Sequence, residues 1–469
     1  MQFSKLSLRI AVGLAATVLL TFTAAAQSST PTISAKEKAK LAARVRSETL
    51  CAWNSYKKYA WGHDELHPLS HQSFDWYGHS LLMTPVDALD TLILQGLKPQ
   101  ADEARQLIDT QLNFDQDIYV KDFEITIRLL GSLISSYQLT GDKRLLELAD
   151  DLGHRMLPIF DSPTGMPYEY VNLRTGKVRG ALSNPAEVGT LLLEYGMLSR
   201  LTHKPEYFEK AKRAMVELYK HRSTIGLFGS EINIETGKWT DSTATIQGGT
   251  DSFYEYMLKA AILFNDKECE QMWKESLPAI NKYLADKTST GLWYGEADMN
   301  TGQRTGTTYG ALDAFFPAAL VLSNATILPD PSDLDRAADL QASGYKMWNV
   351  AGIEPERFDY AQMKITSPAY PLRPEIIEST YYLYHQTHDP KYLAMGKTYL
   401  NNLVKYCRTK DAFAALSDVR SKKKADGMES FFFAETLKYL YLLFAPDSTL
   451  DFNSVIFNTE AHPFERNTP

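Results

Sequence analysis

Residues 123–133 read FEITIRLLGSL, an apolar, helix-like run that contains one acidic residue, Glu124. Its apolar residues recur at helical spacing, so that Phe123, Ile127 and Leu130 would share one face. Six further segments pair an acidic residue with a run of this kind. They are PVDALDTLIL with Asp87, AEVGTLLLEYGML with Glu187, DSFYEYMLKAAIL with Asp251, ALDAFFPAALVL with Asp313, RPEIIESTYYLY with Glu375, and MESFFFAETLKYLYLLF with Glu429 and Glu435.

The acidic residues recur at nearly constant intervals. From Glu124 the next four follow at steps of 63, 64, 62 and 62 residues, and Glu435 lies 60 residues further on. Such a period is an internal repeat. One carboxylate at a similar place on each inward-facing helix would line a central pocket with acid, which indicates acid/base chemistry.

The repeat unit predicts the architecture. Each apolar helix is followed by a short turn, a more charged amphipathic helix and a longer loop that contains Gly, Pro, Trp and Tyr. An open solenoid and a closed ring share this signature, but very apolar helices need cover on all sides, which favours closure. We therefore expect an all-α fold, an (α/α)7 barrel of helical hairpins with small β-hairpins in the loops, as one domain over residues 35–464.

Composition and the N-terminus narrow the class of protein. Residues 1–26 are typical of a secretory signal peptide, with a basic start, an apolar stretch too short for a membrane span, and Ala24-Ala25-Ala26 as a cleavage site. A net charge of −8 argues against a nucleic-acid partner. Three cysteines, Cys51, Cys269 and Cys407, allow at most one disulfide.

Carboxylates within apolar helices need a physical reason, because a buried charge is costly unless it is paired. A structural role at a helix N-cap or in a first turn fits Asp87 and Asp313 well. Two carboxylates on opposite sides of a bound sugar are what glycoside hydrolysis requires. The sequence contains no histidine-rich cluster, paired CxxC motif or glycine-rich phosphate loop that would favour another chemistry.

Several motifs closely resemble glycoside hydrolase family 47, the class I α-mannosidases, in the family's order and over nearly the whole mature chain. They are YKKYAWGHDELHPLS (56–70), VDALDTL, FEITIRLLGSL, AEVGTLLLEYGMLS, DSFYEYMLK, RPEIIES, ESFFFAETLKYLYLLF and FNTEAHP (457–463). The resemblance implies a calcium-dependent, inverting, exo-acting α-1,2-mannosidase, a mannosyl-oligosaccharide-trimming hydrolase on a seven-hairpin α/α barrel.

The resemblance also implies roles for individual residues. Glu124 matches the general acid, acting through a water, and Glu375 matches the base that activates the attacking water. Asp251 matches a third essential carboxylate, and Thr459 matches the ligand of Ca²⁺, an ion that takes many oxygen ligands. The implied substrate-binding residues, of which the glutamates also adjoin the water shell of calcium, are Arg128, Glu187, Arg373, Glu378, Phe431, Glu435 and Glu460.

Three positions depart from the family pattern. Ala311 stands where the family often has a substrate-contacting histidine, and Ala314 where it has a cysteine, so that the usual loop disulfide is expected to be missing. Gly249 stands where some members carry an arginine that selects the mannose branch. This substitution suggests a more open outer subsite.

Two other functions stay open at this stage. A non-catalytic mannose-glycan-binding protein on the same fold would keep the sugar contacts but tolerate loss of the acid or base, and neither is lost here. A polysaccharide lyase on an α/α barrel would need a Tyr/His or Tyr/Arg pair that the motifs lack. We expect an exported monomer, in a bacterial periplasm, acting on an α-mannoside or oligomannose glycan and not inserted in a membrane after signal cleavage.

Overall fold

The computed structural model describes residues 33–468, so the predicted signal peptide at 1–26 lies outside the described residues. Helices alternate between an outer and an inner ring along the chain. The outer helices are Ala35–Tyr59, Lys98–Gln111, Lys143–Met156, Pro205–Lys220, Lys267–Tyr283, Pro331–Ala351 and Pro390–Tyr406. None of the described helices has the length and apolar character needed to cross a membrane.

The inner ring is built from shorter and more apolar helices, several of them broken into two or three pieces. They are Met83–Asp87 with Leu89–Leu94, Asp122–Ile125 with Thr126–Leu130 and Gly131–Thr140, Pro185–Gly189 with Leu192–Thr202, Asp251–Phe264, Leu312–Phe315 with Phe316–Thr326, Glu375–Thr387, and Phe432–Thr436 with Leu437–Phe444. Two short 3-10 turns, Asp447–Thr449 and Phe452–Ser454, follow the last inner helix, and a third, Leu157–Phe160, extends an outer helix.

The two rings close on themselves. Each inner helix packs against the next, and the first outer helix, Ala35–Tyr59, packs against the last inner helix, Leu437–Phe444. The inner helices are buried on nearly every side; in Asp251–Phe264, for example, Phe253, Tyr254 and Met257 are all inaccessible to solvent. The prediction of an (α/α)7 barrel is therefore confirmed.

Short strands form small antiparallel sheets, and all but the last two lie in loops that run from an outer helix to the next inner helix. These loops place them at the end of the barrel where the inner helices begin. The strands are Glu65–His67, Gln72–Phe74, Tyr119–Lys121, Tyr170–Asn172, Val178–Arg179, Leu182–Ser183, Glu231–Asn233, Lys238–Asp241, Thr243–Ala244, Ala285–Thr288, Gly291–Tyr294, Glu296–Asp298, Arg304–Gly306, Thr308–Gly310, Arg357–Asp359, Lys364–Ser367, Leu416–Asp418, Lys423–Lys424, Val455–Phe457 and Pro463–Glu465.

The last two strands form what we call the C-terminal hairpin, residues 455–465, which fills the interior of the barrel. Asn458 in its turn donates hydrogen bonds to the carbonyl of Ile127 (3.0 Å) and to Glu194 (2.8 Å). The hairpin approaches the inner helix at Gly131 so closely that a Cβ there would lie 2.6 Å from Asn458 Nδ2. The C-terminal hairpin thus packs the centre of the barrel, and its turn residues Thr459 and Glu460 line a cavity at one end.

All three cysteines are free thiols. Cys269 and Cys407 are buried and Cys51 is partly exposed. Ala314 stands at the position where the cysteine of the family's loop disulfide is expected to be missing. It is buried in the core, with 2 % of its surface exposed.

Candidate active site

One cavity of about 270 Å³ opens at the end of the barrel where the inner helices begin. All eleven predicted site residues line it, although they come from widely separated parts of the chain. They are Glu124, Arg128, Glu187, Asp251, Arg373, Glu375, Glu378, Phe431, Glu435, Thr459 and Glu460. Including Glu255, eight carboxylates face the cavity, against three cationic side chains.

The repeat brings the carboxylates together because it places them at equivalent points on the helices. Glu124, Glu187, Asp251 and Glu375 each stand in the first turn of an inner helix, where the unpaired N–H groups of the backbone favour negative charge. Glu435 differs, since it lies inside a π-helical turn, Phe432–Thr436. The acid-lined pocket therefore follows from helix register.

Asp87 and Asp313 do not line the cavity. Asp313 stands in the first turn of Leu312–Phe315 and accepts a hydrogen bond from the N–H of Gly310 (2.7 Å), as its structural interpretation predicts. For Asp87 the first-turn interpretation is wrong: the residue ends the helix Met83–Asp87. It bonds instead to Nε2 of buried His462 in the C-terminal hairpin (3.0 Å), a partner 375 residues away that local sequence cannot indicate.

Arg128 is the central cation of the cavity. Its guanidinium pairs with Glu124 (2.9 Å) and with Glu460 of the C-terminal hairpin (2.7 Å), and it lies over the rings of Trp76 and Phe431. The helix is not regular here, because residues 126–130 form a π-helical turn. Extra turns of this type are frequent at functional sites, and this one interrupts the single apolar face predicted for residues 123–133.

Arg373 and Phe431 line the cavity next to Arg128. Arg373 pairs with Glu356 (2.7 Å), and its guanidinium lies 5.6 Å from the centre of the Phe431 ring. Phe431 is therefore held between two guanidinium groups, those of Arg128 and Arg373. A rigid aromatic face at the floor of a polar cavity is suited to packing against a sugar ring.

Two of the predicted catalytic carboxyls hold their protons more tightly than an ordinary side chain. They are open only to the cavity, and the loss of surrounding bulk water raises the pKa of Glu375 to about 8 and that of Asp251 to about 7. Oε2 of Glu375 is enclosed and has no hydrogen-bond partner among the described residues. Raised pKa values near neutrality are typical of groups that donate or accept protons in catalysis.

Thr459 reaches the cavity from the turn of the C-terminal hairpin. Its own N–H donates to the hydroxyl of Tyr256 (3.3 Å), whereas within residues 33–468 no protein hydrogen bond is made by its carbonyl or its side-chain oxygen. Burial and repulsion from Glu460 raise the pKa of nearby Glu435 well above its usual range. Two free oxygens beside crowded carboxyls fit a cation that prefers oxygen ligands.

The carboxyls do not themselves form a direct metal site. Within the described part of the chain no three His, Cys, Asp or Glu side chains converge closely enough to bind an ion. A calcium ion held at Thr459 would therefore complete its shell with water or ligand oxygens, as the sequence resemblance implies.

Sequence reasoning missed three charged residues of the site. Glu255 lines the cavity one helical turn after Asp251, a spacing that could have revealed it, and it pairs with buried Lys259, which also lies 3.9 Å from Glu378. Lys121 pairs with Glu187 (2.6 Å). Lys121 comes from a loop strand, and nothing in its local sequence signals that position.

The position of Gly249 bears on the width of the cavity. Gly249 and Gly248 both line the wall, and Gly249 has φ of 94°, a conformation that a larger residue would adopt only with strain. Ala311 is fully buried and lies outside the lining.

Comparison with known proteins identifies the family. The sequence profile described as glycosyl hydrolase family 47 matches residues 48–466. The chain belongs to this family. Alpha-mannosidase I MNS5 of Arabidopsis thaliana is 36% identical over 460 residues, which span 92% of this chain and 78% of the relative. Mannosyl-oligosaccharide 1,2-alpha-mannosidase IA of Sus scrofa is 34% identical over 450 residues, 90% of this chain and 67% of the relative.

A solved structure agrees with the sequence comparison. The alpha-1,2-mannosidase from Trichoderma reesei superposes with a TM-score of 0.85 at 29% identity, over 92% of this chain and 99% of that one. This protein is therefore a glycoside hydrolase, and the enzyme class predicted from the motifs is confirmed.

Proposed function

We propose that this family 47 enzyme is a calcium-dependent, inverting, exo-acting α-1,2-mannosidase that releases single mannose units from α-mannosides or oligomannose glycans. The observation that carries the proposal is the meeting of Glu124, Asp251 and Glu375, from three different repeats, in one cavity. The relatives include 1,2-alpha-mannosidases, which supports the same bond specificity.

The base in this proposal is Glu375. Glu375 lines the cavity, and no described residue donates a hydrogen bond to its enclosed Oε2. The protein therefore does not occupy this carboxylate, and its cavity-facing oxygen can accept a hydrogen bond from a water molecule. As the base, in its ionised form, it accepts a proton from that water while the oxygen attacks the anomeric carbon from the face opposite the leaving group. Burial raises the pKa of Glu375 to about 8, so its ionised form near neutrality requires positive charge in the cavity, which a bound cation would supply. This geometry inverts the configuration, so that the first product is β-mannose.

The proton for the leaving oxygen comes from the side of Glu124 and Asp251. The carboxylate of Glu124 lies 2.9 Å from the guanidinium of Arg128, which holds it in place beside the cavity. Burial raises the pKa of Asp251 to about 7, so that near neutrality a fraction of Asp251 carries a proton that it can donate. We therefore propose that Asp251 shares the acid role with Glu124, supplying the proton that reaches the leaving oxygen through a water beside Glu124.

Thr459 would hold calcium through its hydroxyl and carbonyl oxygens, with Glu187, Glu378, Glu435 and Glu460 around the water shell. When bound, the ion supplies positive charge that suits the binding of two neighbouring sugar hydroxyls. The side chains Arg128, Arg373 and Phe431 bind and orient the sugar.

The decisive experiment incubates the protein with α-1,2-mannobiose, in calcium and in EDTA, and measures free mannose. Release in calcium, its loss in EDTA and its return on adding calcium are expected. Proton NMR of the first turnovers should show the β anomer; an α product would refute inversion. A Glu375→Gln variant should be inactive while still binding the disaccharide.

A protein that binds mannobiose but releases no mannose in calcium would instead be the non-catalytic glycan-binding protein. The proposed export to a bacterial periplasm is tested separately by cell fractionation, in which a purely cytoplasmic location would contradict it.

A further inference from the structure

The small sheet beside the cavity has one face that packs on the core and one that is free. It consists of Tyr119–Lys121, Tyr170–Asn172 and Val178–Arg179, in that order. Val120 and Val171 are fully buried on the inner face. Because side chains alternate along a strand, the neighbouring positions point outward.

Besides Asn172, which is buried and donates a hydrogen bond to Asp117, the outward face carries four polar or aromatic side chains in register. Lys121 pairs across the strands with Tyr170, and Tyr170 pairs with Arg179. Residues directly opposite in an antiparallel sheet share a face, as do residues two apart on one strand, which adds Tyr119. We call this face, formed by Tyr119, Lys121, Tyr170 and Arg179, the outer strip.

The outer strip begins in the cavity and leads away from it. Lys121 lines the cavity and pairs with Glu187 (2.6 Å), whereas Arg179 is two strands further out, about 10 Å away at the usual strand spacing. Gly249 lines the same part of the cavity wall, next to Asn184, and has no side chain to obstruct it.

Arg179 is held in place but its donors are unused. Its guanidinium lies 4.3 Å from the centre of the Tyr119 ring and 5.0 Å from that of Tyr170, so both rings pack against it. The side chain is exposed. Across residues 33–468, no carboxylate lies within 4.0 Å of it and neither its nitrogens nor the two tyrosine hydroxyls hydrogen-bond to protein.

We propose that the outer strip binds the leaving-group side of an oligomannose chain, with Arg179 donating hydrogen bonds to hydroxyls of the second or third sugar beyond the bond that is cleaved. A rigid guanidinium fork suits paired hydroxyl oxygens, and tyrosine hydroxyls extend the same contact. The eight carboxylates of the adjoining cavity disfavour an anionic ligand, so the occupant is a neutral glycan. This inference rests on the proposed mannosidase function.

The test compares kcat/KM for α-1,2-linked mannobiose and mannotetraose in the wild type and in Arg179→Ala. Mannobiose is too short to reach Arg179, so the ratio of tetraose to biose should fall about 10-fold, through KM rather than kcat. Arg179→Lys, which keeps the charge but loses the planar fork, should fall in between. Arg174→Ala is the matched control, because this exposed arginine of the same sheet loop is already bonded to Asp115 and should leave the ratio unchanged.

A ratio within twofold of the wild type in Arg179→Ala would overturn the proposal, and so would an equal loss on both substrates. Failure of the mannosidase function itself is recognised separately, as no mannose release by the wild type from either substrate. In that case calorimetry of mannotetraose binding decides: about 10-fold weaker binding by Arg179→Ala supports the outer strip, and equal binding refutes it.

Discussion

Asp90 anchors the C-terminal hairpin to the barrel, and replacing it with asparagine should destabilise the protein strongly. The carboxylate is fully buried and accepts hydrogen bonds from Lys438 (2.8 Å), His462 (2.8 Å) and Ser135 (2.9 Å). Lys438 is itself 1% exposed and also bonds to the carbonyl of Ala461 in the hairpin (2.7 Å). Asp90→Asn would leave buried cations without their counter-charge.

The magnitude can be worked from the ionisation of Asp90. Burial alone would raise its pKa, but Lys438 and His462 outweigh burial and lower the pKa from 3.8 to about 2. This shift corresponds to roughly 2.5 kcal/mol of stability at neutral pH. Because uncompensated buried cations add to the loss, we expect Asp90→Asn to lower the free energy of unfolding by about 3 to 5 kcal/mol.

The sign of the pH dependence follows from the depressed pKa. Asp90 contributes its full stability above its unfolded value of 3.8, and that contribution is lost as the pH falls through about 2. The difference in unfolding free energy between wild type and Asp90→Asn should therefore be largest at pH 7. At pH 3 the ionisation part of that difference should be roughly half as large.

The assay is urea denaturation followed by the fluorescence of buried tryptophans such as Trp53 and Trp273. Asp418→Asn is the matched control: Arg420 also holds the pKa of Asp418 below its usual range, but the pair is exposed and its loss should not be measurable. Adding Lys438→Met to Asp90→Asn should recover part of the loss. If Asp90→Asn alone unfolds within about 0.5 kcal/mol of the wild type, a difference typical of an exposed ion pair, the reasoning is refuted.

Three further predictions concern buried groups near the cavity. Both side-chain oxygens of fully buried Glu354 lack hydrogen-bond partners in residues 33–468, and burial raises its pKa well above 4.5. The protonated form is therefore the stable one in the folded protein, and it is lost as the pH rises. Thermal unfolding should show that Glu354→Gln raises the free energy of unfolding by about 1 kcal/mol over the wild type at pH 8 and by little at pH 4. Tyr256→Phe leaves buried Glu194 without one donor and frees the N–H of Thr459, so urea denaturation should show a loss of about 1 to 3 kcal/mol and calcium titration a weaker site; an unchanged calcium affinity would contradict the placement. Asp251→Asn should lower kcat by at least about 100-fold and remove the decline of kcat/KM above about pH 7, and a variant that keeps this decline would show that another group donates the proton.

Most of the fold could be predicted because it is periodic. The repeat of about sixty residues, in which an apolar helix alternates with an amphipathic, charged helix, predicts helical hairpins. The apolar character of the inner helices predicts that the hairpins close into a barrel. The π-helical turns at residues 126–130 and 432–436 could not be predicted, because an inserted turn leaves no pattern of its own in a single sequence. These turns nevertheless contain Arg128 and Glu435 and therefore determine the local backbone conformation of both residues.

Some cavity residues could be predicted from the internal repeat, and others only from the resemblance to the family. First-turn carboxylates such as Glu187 and Asp251 follow from the repeat, whereas Thr459 and Glu460 come only from family resemblance, since the C-terminal hairpin is outside the repeat. Lys121 was missed, because a lysine in a short loop strand is usually solvated and only strand pairing turns it toward Glu187. The charge state of the site is likewise set by contacts between distant segments.

The sequence by itself determined the seven-hairpin barrel, the ring of acidic first turns and the family, because each depends on local periodicity or on contiguous motifs. Only the tertiary structure decided which acids reach the cavity. Asp87 and Asp313 share the pattern of Glu124 and Glu375, yet they are turned into the scaffold by His462 and by the N–H of Gly310. The physical reason is that a carboxylate's ionisation and orientation depend on its burial and on partners hundreds of residues away, which exist only once the barrel has closed around its C-terminal hairpin.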